Sequence, residues 1–455
     1  MAGEFAQADR ESARCGTFLL RAGCDKMQLR QPEMQNGETV QQPRTGLVTL
    51  AAATAAFATY TSMYAFRRPF TVATYEDLTL WGADYKSVAV AVQILGYMMS
   101  KFVGIKVVSE TPAARRVTMI LGLIGISAFG LLVFAVLPAP WNVVGLLVNG
   151  LPLGMIWGLV FGFLEGRRVT EFLGLGMSLS VIFASGWVKS AGGWLLRFGV
   201  PEFWMPLVTG LLFVPLLLVA AAVLGRMPPP DAADQAARMA RHPMDKRARR
   251  EFLRRWWPGI VCFTGAYLCL MTYRDVRDTF MAEVLKEQGY RGDPGVFSGL
   301  ETIVGCLVIV SLFWLRWVQD NRKALIANAM LIVAGPVIAA VGTWLFQQGL
   351  LGPQAWLVAT GFGTYLAFVP FQSLMYDRLL AVLRHAGTAA FLISIGDAFG
   401  YLSTVAIYLS RFVEEWRMPW SLMLMEGSYV QAVLVAVLTV AGACYFLKPR
   451  ARREQ

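Results

Sequence analysis

The sequence predicts an all-α integral membrane protein of twelve transmembrane helices, arranged as two six-helix halves. Three observations carry this. The 455-residue chain is 56% hydrophobic and only 16% charged, with a mean hydropathy of +0.51, whereas soluble domains carry about a quarter charged residues. Its apolar runs reach the ~20 residues that a helix needs to cross the hydrocarbon core, far beyond the ~10 of a barrel strand. A polar, basic stretch at 227–255, opening on MPPP and containing DKRARREFLRR, divides these runs six and six.

Taken in order, residues 1–45 are polar and charged and lack the apolar core of a signal peptide. They read as a cytosolic tail without fixed structure, and Met27 or Met34 would serve equally as the start. Spans follow at 46–75, 87–108, 116–138, 142–165, 171–197, 203–225, 257–285, 295–317, 323–347, 354–378, 386–411 and 421–447. They make an N-terminal half over 46–226 and a C-terminal half over 256–447, with a basic cytosolic tail at 448–455. Placing both termini in the cytosol puts most of the 41 Lys and Arg residues on inside connections. The outside links PAPW (138–141) and QQGLLGPQ (347–354) are then uncharged. Topology thus accounts for the net charge of +11 without nucleic acid as a partner. Six scattered cysteines and two histidines show no metal or redox spacing. No nucleophile–base pair or Gly-rich phosphate loop is visible, so neither an enzyme nor a cofactor is expected.

The halves read as parallel repeats offset by about 210 residues. At that offset Arg67 and Phe70 of RRPF fall on Arg277 and Phe280 of RDTF, and Glu165 falls near Asp377. In the fourth span, Gly150, Gly154, Gly158, Gly162 and Gly166 keep to one side of the helix. They offer either a seam for close static packing or a smooth surface for a moving bundle.

Ionisable groups inside spans are costly, from ~2.5–3.5 kcal/mol each on insertion scales upward, and so mark functional positions. Helical spacing gathers them into stripes: Tyr60, Tyr64 and Arg67 or Arg68 in the first span, and Gln93, Tyr97 and Lys101 in the second. Ser178, Ser185 and Lys189 line up in the fifth, Tyr267, Arg274 and Arg277 in the seventh, and Ser394, Asp397 and Tyr401 in the eleventh, while Glu301 lies near the outer end of the eighth. Convergence of these stripes would make a basic cavity suited to an anion, since a guanidinium matches phosphate or carboxylate bidentately. Other readings stand beside this one. Arg67 lies ~30 Å of helix beyond Gly46 and could snorkel to the outer interface; Arg68, about 100° further round, is the better candidate to do so. Asp278 follows Arg274 by four residues and can pair with it. Lys189 has no acid near it in sequence, so its counter-charge comes from another helix or from substrate. Asp397 is a candidate for that partner or for a proton carrier, and Glu301 for either role. At the cytosolic ends Glu110 with Arg115 and Arg116, Glu165 with Arg167 and Arg168, and Asp377 with Arg378 could form a gate that breaks as the halves rock.

Six plus six helices around a basic central loop is the layout of the major facilitator superfamily. YAFRRPF in the first span and GYMMSKFVG in the second resemble the organophosphate:phosphate antiporter branch of that superfamily. The resemblance implies that Arg67, the SKF lysine Lys101 and a seventh-span arginine surround a substrate phosphate; Arg274 in TYRDVRDTF is the best match, with Arg277 the alternative. It covers mostly residues 60–105 and the middle of the seventh span. The chain departs from the branch in the fifth span, where ASGWVKSAGG has Ser185 and Lys189 in place of a histidine, and after the second, where GIKVVSETPAARR offers only Glu110 for the usual Asp-Arg pair. Along nearly the whole membrane region the chain is similar to an uncharacterised bacterial family of this fold, with stretches like YAFRRPF, LPLGMIWGLVFGFLEGRR and YRDVRDTF; no activity comes with it. The expected function is a monomeric secondary transporter in the cytoplasmic (inner) membrane of a bacterium. It would move a small organic anion, an organophosphate or a carboxylate, by alternating access, with phosphate exchange or proton coupling. Arg67, Lys101 and Arg274 would bind the anionic head, Arg68, Lys189 and Arg277 would tune the field, and Tyr60, Tyr64, Tyr97 and Gln93 would shape the site. The alternative is a transporter-derived anion sensor or scaffold that moves nothing.

Overall fold

The computed structural model describes residues 42–75, 78–164, 170–227, 246–318, 320–383, 389–413 and 417–448. The first half carries α1 (Gln42–Ala65), α2 (Tyr85–Glu110), α3 (Ala113–Val136), α4 (Val143–Leu164), α5 (Thr170–Arg197), α6 (Met205–Leu212) and α7 (Val214–Gly225). The second carries α8 (Lys246–Thr279), α9 (Met281–Glu287), α10 (Val296–Leu312), α11 (Asn321–Gln347), α12 (Pro353–Pro370), α13 (Tyr376–Leu383), α14 (Ala389–Ser410) and α15 (Trp420–Leu447). A two-stranded hairpin, β1 (Thr79–Leu80) and β2 (Ala83–Asp84), precedes α2. Its turn residues Trp81 and Gly82 take φ of 51° and 80°, the left-handed pair that a tight two-residue hairpin turn requires.

Among the described residues, eight helices are long and apolar enough to cross a membrane, or nine if the pair α6–α7, bent by 42°, counts as one span. Pro215, at the start of α7, accounts for the bend because it lacks the N–H that would continue the helix. α5 and α8 fall outside this set. Serines, glycines and Lys189 dilute α5, and α8 begins on KRARR and ends on RDVRDT.

Several helices depart from the expected spans. The first span was expected to run to 75, but α1 stops at Ala65 and the chain turns through Phe66–Arg68 into a 3-10 segment, Pro69–Val72. Both Arg67 N–H and Arg68 N–H bond back to Tyr64 O, at 3.0 and 2.9 Å. Pro69 therefore ends the helix rather than bending it. α8 begins at Lys246, inside the stretch expected as loop, because Phe252 and Trp256, four residues apart, bury one face of that extension. α12 passes through a π-helical turn, Phe371–Met375, before α13.

Gly150, Gly154 and Gly158 of the glycine ladder pack α4 against α2, Gly162 faces Arg116 of α3, and Gly166 lies outside the described residues. A Cβ at Gly150 would lie 2.2 Å from Gln93 O, and one at Gly154 would lie 2.8 Å from both Tyr97 O and the Ser100 side chain. At Gly158 the nearest atom is a Val108 methyl at 3.0 Å, which can yield. In the second half a Cβ at Gly335 would meet Gly363 O at 2.2 Å, a comparable close crossing between α11 and α12. Overpacking costs about 1–3 kcal/mol, and more where backbone is the obstacle. Gly150→Ala should therefore lower the melting temperature of the purified protein clearly more than Gly158→Ala; equal, small shifts would contradict this packing.

Candidate functional site

The buried charges collect where the two halves meet. At the end of α1 the exposed carbonyls of a terminating helix need partners, and two amides supply them. Gln93 donates to Arg67 O at 3.1 Å and to Asn149 Oδ1 at 2.7 Å; Asn149 donates to Phe66 O at 2.9 Å and to Ser127 Oγ at 2.6 Å. Gln93 is thus committed to fixing the turn that carries the two arginines. Asn149 has the same task, and the sequence reading passed over it; its only signal was a lone amide in an otherwise apolar helix.

Arg68 does not snorkel. Its side chain is 5% exposed and reaches the second half, donating to Asp275 Oδ1 at 2.8 Å and to Thr279 Oγ1 at 3.0 Å. Its Nε lies 3.1 Å from Asp278 Oδ2, an ion pair without good hydrogen-bond direction. Asp278 also accepts from Lys189, and from Ser185 at 2.5 Å, while Asp275 accepts from Tyr408 at 2.8 Å. The partner of Lys189 is therefore Asp278 and not Asp397, and Asp278 is not the partner of Arg274. Arg277 is equally committed: its Nη1 donates to Glu301 Oε1 at 2.7 Å and its Nη2 to Leu357 O at 2.8 Å, in a wholly buried pair that makes Glu301 a counter-charge. Nearby, Lys86 pairs with Glu283 at 2.5 Å and donates to Thr71 O.

These pairs cross between the halves at one end of the bundle, where α1, α5 and α8 finish and α2 begins, apart from Arg277–Glu301, which lies within the second half. The gate expected at the opposite end has a different aspect. Glu110 and Arg115 are exposed. Arg116 donates to Gly162 O at 2.6 Å, and Arg378 donates to Asn321 Oδ1 at 2.8 Å with Asp377 half-buried beside it. Glu165, Arg167 and Arg168 lie outside the described residues.

Two buried cations stand apart. Arg67, 4% exposed, lies over the Tyr97 ring at 3.9 Å and the Tyr64 ring at 5.9 Å. Arg274, 7% exposed, lies over the Phe368 ring at 4.2 Å. Among the described residues neither has a carboxylate partner or a side-chain hydrogen bond. Tyr64 and Tyr401 are within electrostatic reach of both. Tyr60 packs on Tyr64 with centroids 5.4 Å apart, and Tyr97 meets Tyr401 edge-on at 5.1 Å. One helical turn along α2 from Tyr97, Lys101 pairs with Asp397 at 3.2 Å and lies 5.9 Å from the Trp157 ring; Tyr267 donates to Asp397 Oδ1 at 2.7 Å. Arg67 and Arg274 therefore lie with the tyrosines at the half-to-half interface without a carboxylate partner among the described residues, Lys101 joins them paired with Asp397, and Arg68, Lys189 and Arg277 are held in ion pairs. A separate hollow of about 420 Å³ between α1 and α7, lined by residues such as Leu50, Thr54 and Leu216, is almost wholly apolar and contains none of these charges.

Solved structures with the same architecture are transporters. A D-xylose-proton symporter matches with a TM-score of 0.54 at 14% identity, over 89% of this chain and 97% of its own. A bacterial homolog of the human lysosomal transporter Spinster, inward-facing and unoccupied, matches with a TM-score of 0.57 at 14% identity, over 90% of this chain and 98% of its own. A bacterial homologue of the human drug peptide transporters PepT1 and PepT2 matches with a TM-score of 0.58 at 12% identity, over 90% and 98%. At such identities the likeness establishes the fold alone, one that this chain shares with these structures. No curated protein matches the sequence. The family model described as a family of unknown function, DUF5690, matches residues 69–449, and the chain belongs to that family.

Proposed function

We propose that the protein is a secondary transporter that moves a small organic anion, an organophosphate or a carboxylate, across the bacterial cytoplasmic membrane by alternating access. In this reading the chain spans the membrane twelve times with both termini in the cytosol and works as a monomer. The observation that carries it is the pair of buried arginines, Arg67 and Arg274, without a carboxylate partner among the described residues. A desolvated cation–π contact returns about 2 kcal/mol, less than the ~2.5–3.5 kcal/mol or more that an intramembrane charge costs. A substrate anion supplies what the rings cannot. The neighbouring Lys101–Asp397 pair gives the site a third cation and a carboxylate able to carry a proton, so transport proceeds by phosphate exchange or with protons.

The test is exchange in proteoliposomes loaded with phosphate, using labelled phosphate and labelled succinate as probes. Arg67→Lys keeps the charge but loses the planar fork. Uptake of the transported probe should fall at least about tenfold, the equivalent of ~1.4 kcal/mol. Unchanged uptake in this variant would remove Arg67 from the site.

A further inference from the structure

We infer that the site takes a dianion, and that Asp397 sets this charge by neutralising Lys101. The inference rests on the anion-binding reading above and adds the substrate's charge to it. Arg68 and Lys189 are matched by Asp275 and Asp278, and Arg277 by Glu301. Lys86 is matched by Glu283, and Arg411 by Asp84 at 3.2 Å. Lys101, the most open of the interface cations at 27% exposure, is matched by Asp397. Among the described buried residues this leaves two positive charges, Arg67 and Arg274, uncompensated.

In a medium of low dielectric a charge mismatch at contact distance is penalised heavily, because solvent does not screen it. A monoanion leaves one guanidinium bare. A trianion brings one charge more than the site can neutralise while Asp397 occupies Lys101. A phosphate monoester and a dicarboxylate both satisfy the count. Asp397 is held by Lys101 on one oxygen and by Tyr267 on the other. Asp397→Asn retains a carbonyl for the tyrosine and frees the ammonium, so the site gains a third positive charge.

Two charge series on the purified full-length chain test this through ligand-dependent thermal stabilisation, which reports binding without requiring transport. One is dimethyl phosphate, methyl phosphate and pyrophosphate; the other is propionate, succinate and tricarballylate. The measurements are made near pH 8, well above the second phosphate pKa of about 6. In at least one series the dianion should bind at least about tenfold more tightly than its neighbours on either side, and the series that responds identifies the head group. Asp397→Asn should move the optimum to the trianion, and Arg274→Gln should move it to the monoanion. Wild-type protein that binds the monoanion or the trianion as well as the dianion overturns the inference and leaves anion transport standing, as does an unchanged order in a folded Asp397→Asn. If that variant does not fold, the wild-type series and Arg274→Gln decide. Absence of stabilisation by every member of both series overturns the anion-binding reading itself.

Discussion

Asp278→Ala should be among the most destabilising single substitutions in the protein. Asp278 accepts from Lys189 and Ser185 and lies 3.1 Å from Arg68 Nε, so its removal strips Lys189 of its only described carboxylate and Arg68 of one of two. Both cations are nearly inaccessible to solvent, at 2% and 5% side-chain exposure. Removing one member of a buried ion pair costs about 3–5 kcal/mol, most of it from the stranded charge. The design of the check follows from that origin. Lys189→Met added to Asp278→Ala should recover part of the lost melting temperature, because it removes the stranded ammonium. A double variant no more stable than Asp278→Ala would show that the pair is not what Asp278 holds together. A second readout concerns the end of the bundle that these pairs close. A single cysteine placed at Ser190 should become reactive to a water-soluble maleimide in the Asp278→Ala background, since Ser190 is nearly buried and tied to Pro294 O at 2.8 Å when the halves are joined there.

Arg274 and Arg277 lie one turn apart on α8, and their substitutions should fail in different ways. Arg274→Gln removes a guanidinium that has no carboxylate partner among the described residues, so folding should tolerate it. Uptake should not. Losing a charged contact to a desolvated partner costs about 2–5 kcal/mol, so exchange should fall by roughly thirtyfold to a few thousandfold. Arg277→Gln instead strands Glu301, which is 0% exposed, and should lower the melting temperature first. Adding Glu301→Gln should restore stability to Arg277→Gln and do nothing for uptake by Arg274→Gln. Robust transport by Arg274→Gln, or rescue of its transport by Glu301→Gln, would exchange the roles of the two arginines.

Much of this was legible in the sequence, and the reasons for the rest are specific. The stripes on the first, second, seventh and eleventh spans brought forward Arg67 or Arg68, Lys101, Arg274 with Arg277, and Asp397, because periodicity places residues on a face without knowledge of the partner helix; the preference for Arg67 and Arg274 came from the family resemblance. What periodicity cannot give is pairing across the interface. Arg68 finds Asp275 and Thr279 across separations of 207 and 211 residues, and no local pattern announces that. The repeat offset placed Arg67 on Arg277, whereas the residue in a comparable setting is Arg274. Equal offset means equal position only while both helices continue, and α1 has already unwound at Ala65 where α8 runs on to Thr279. Asn149 was missed because its role is to satisfy carbonyls exposed by that unwinding, which falls inside the span expected over 46–75.

The stacking of Arg67 on Tyr97 at 3.9 Å and of Arg274 on Phe368 at 4.2 Å also bears on entropy. A free arginine side chain loses up to ~2 kcal/mol of rotamer freedom when it is immobilised. Here the rings have restrained both guanidiniums before any ligand arrives, so binding need not order them again. Such a site is preorganised: affinity is gained for an anion whose charges match the fixed spacing, and a flexible ligand must give up its own freedom to reach it. Tyr97→Leu would loosen Arg67 without removing its charge, and would thereby widen the range of charge separations the site accepts while weakening its grip on the best one.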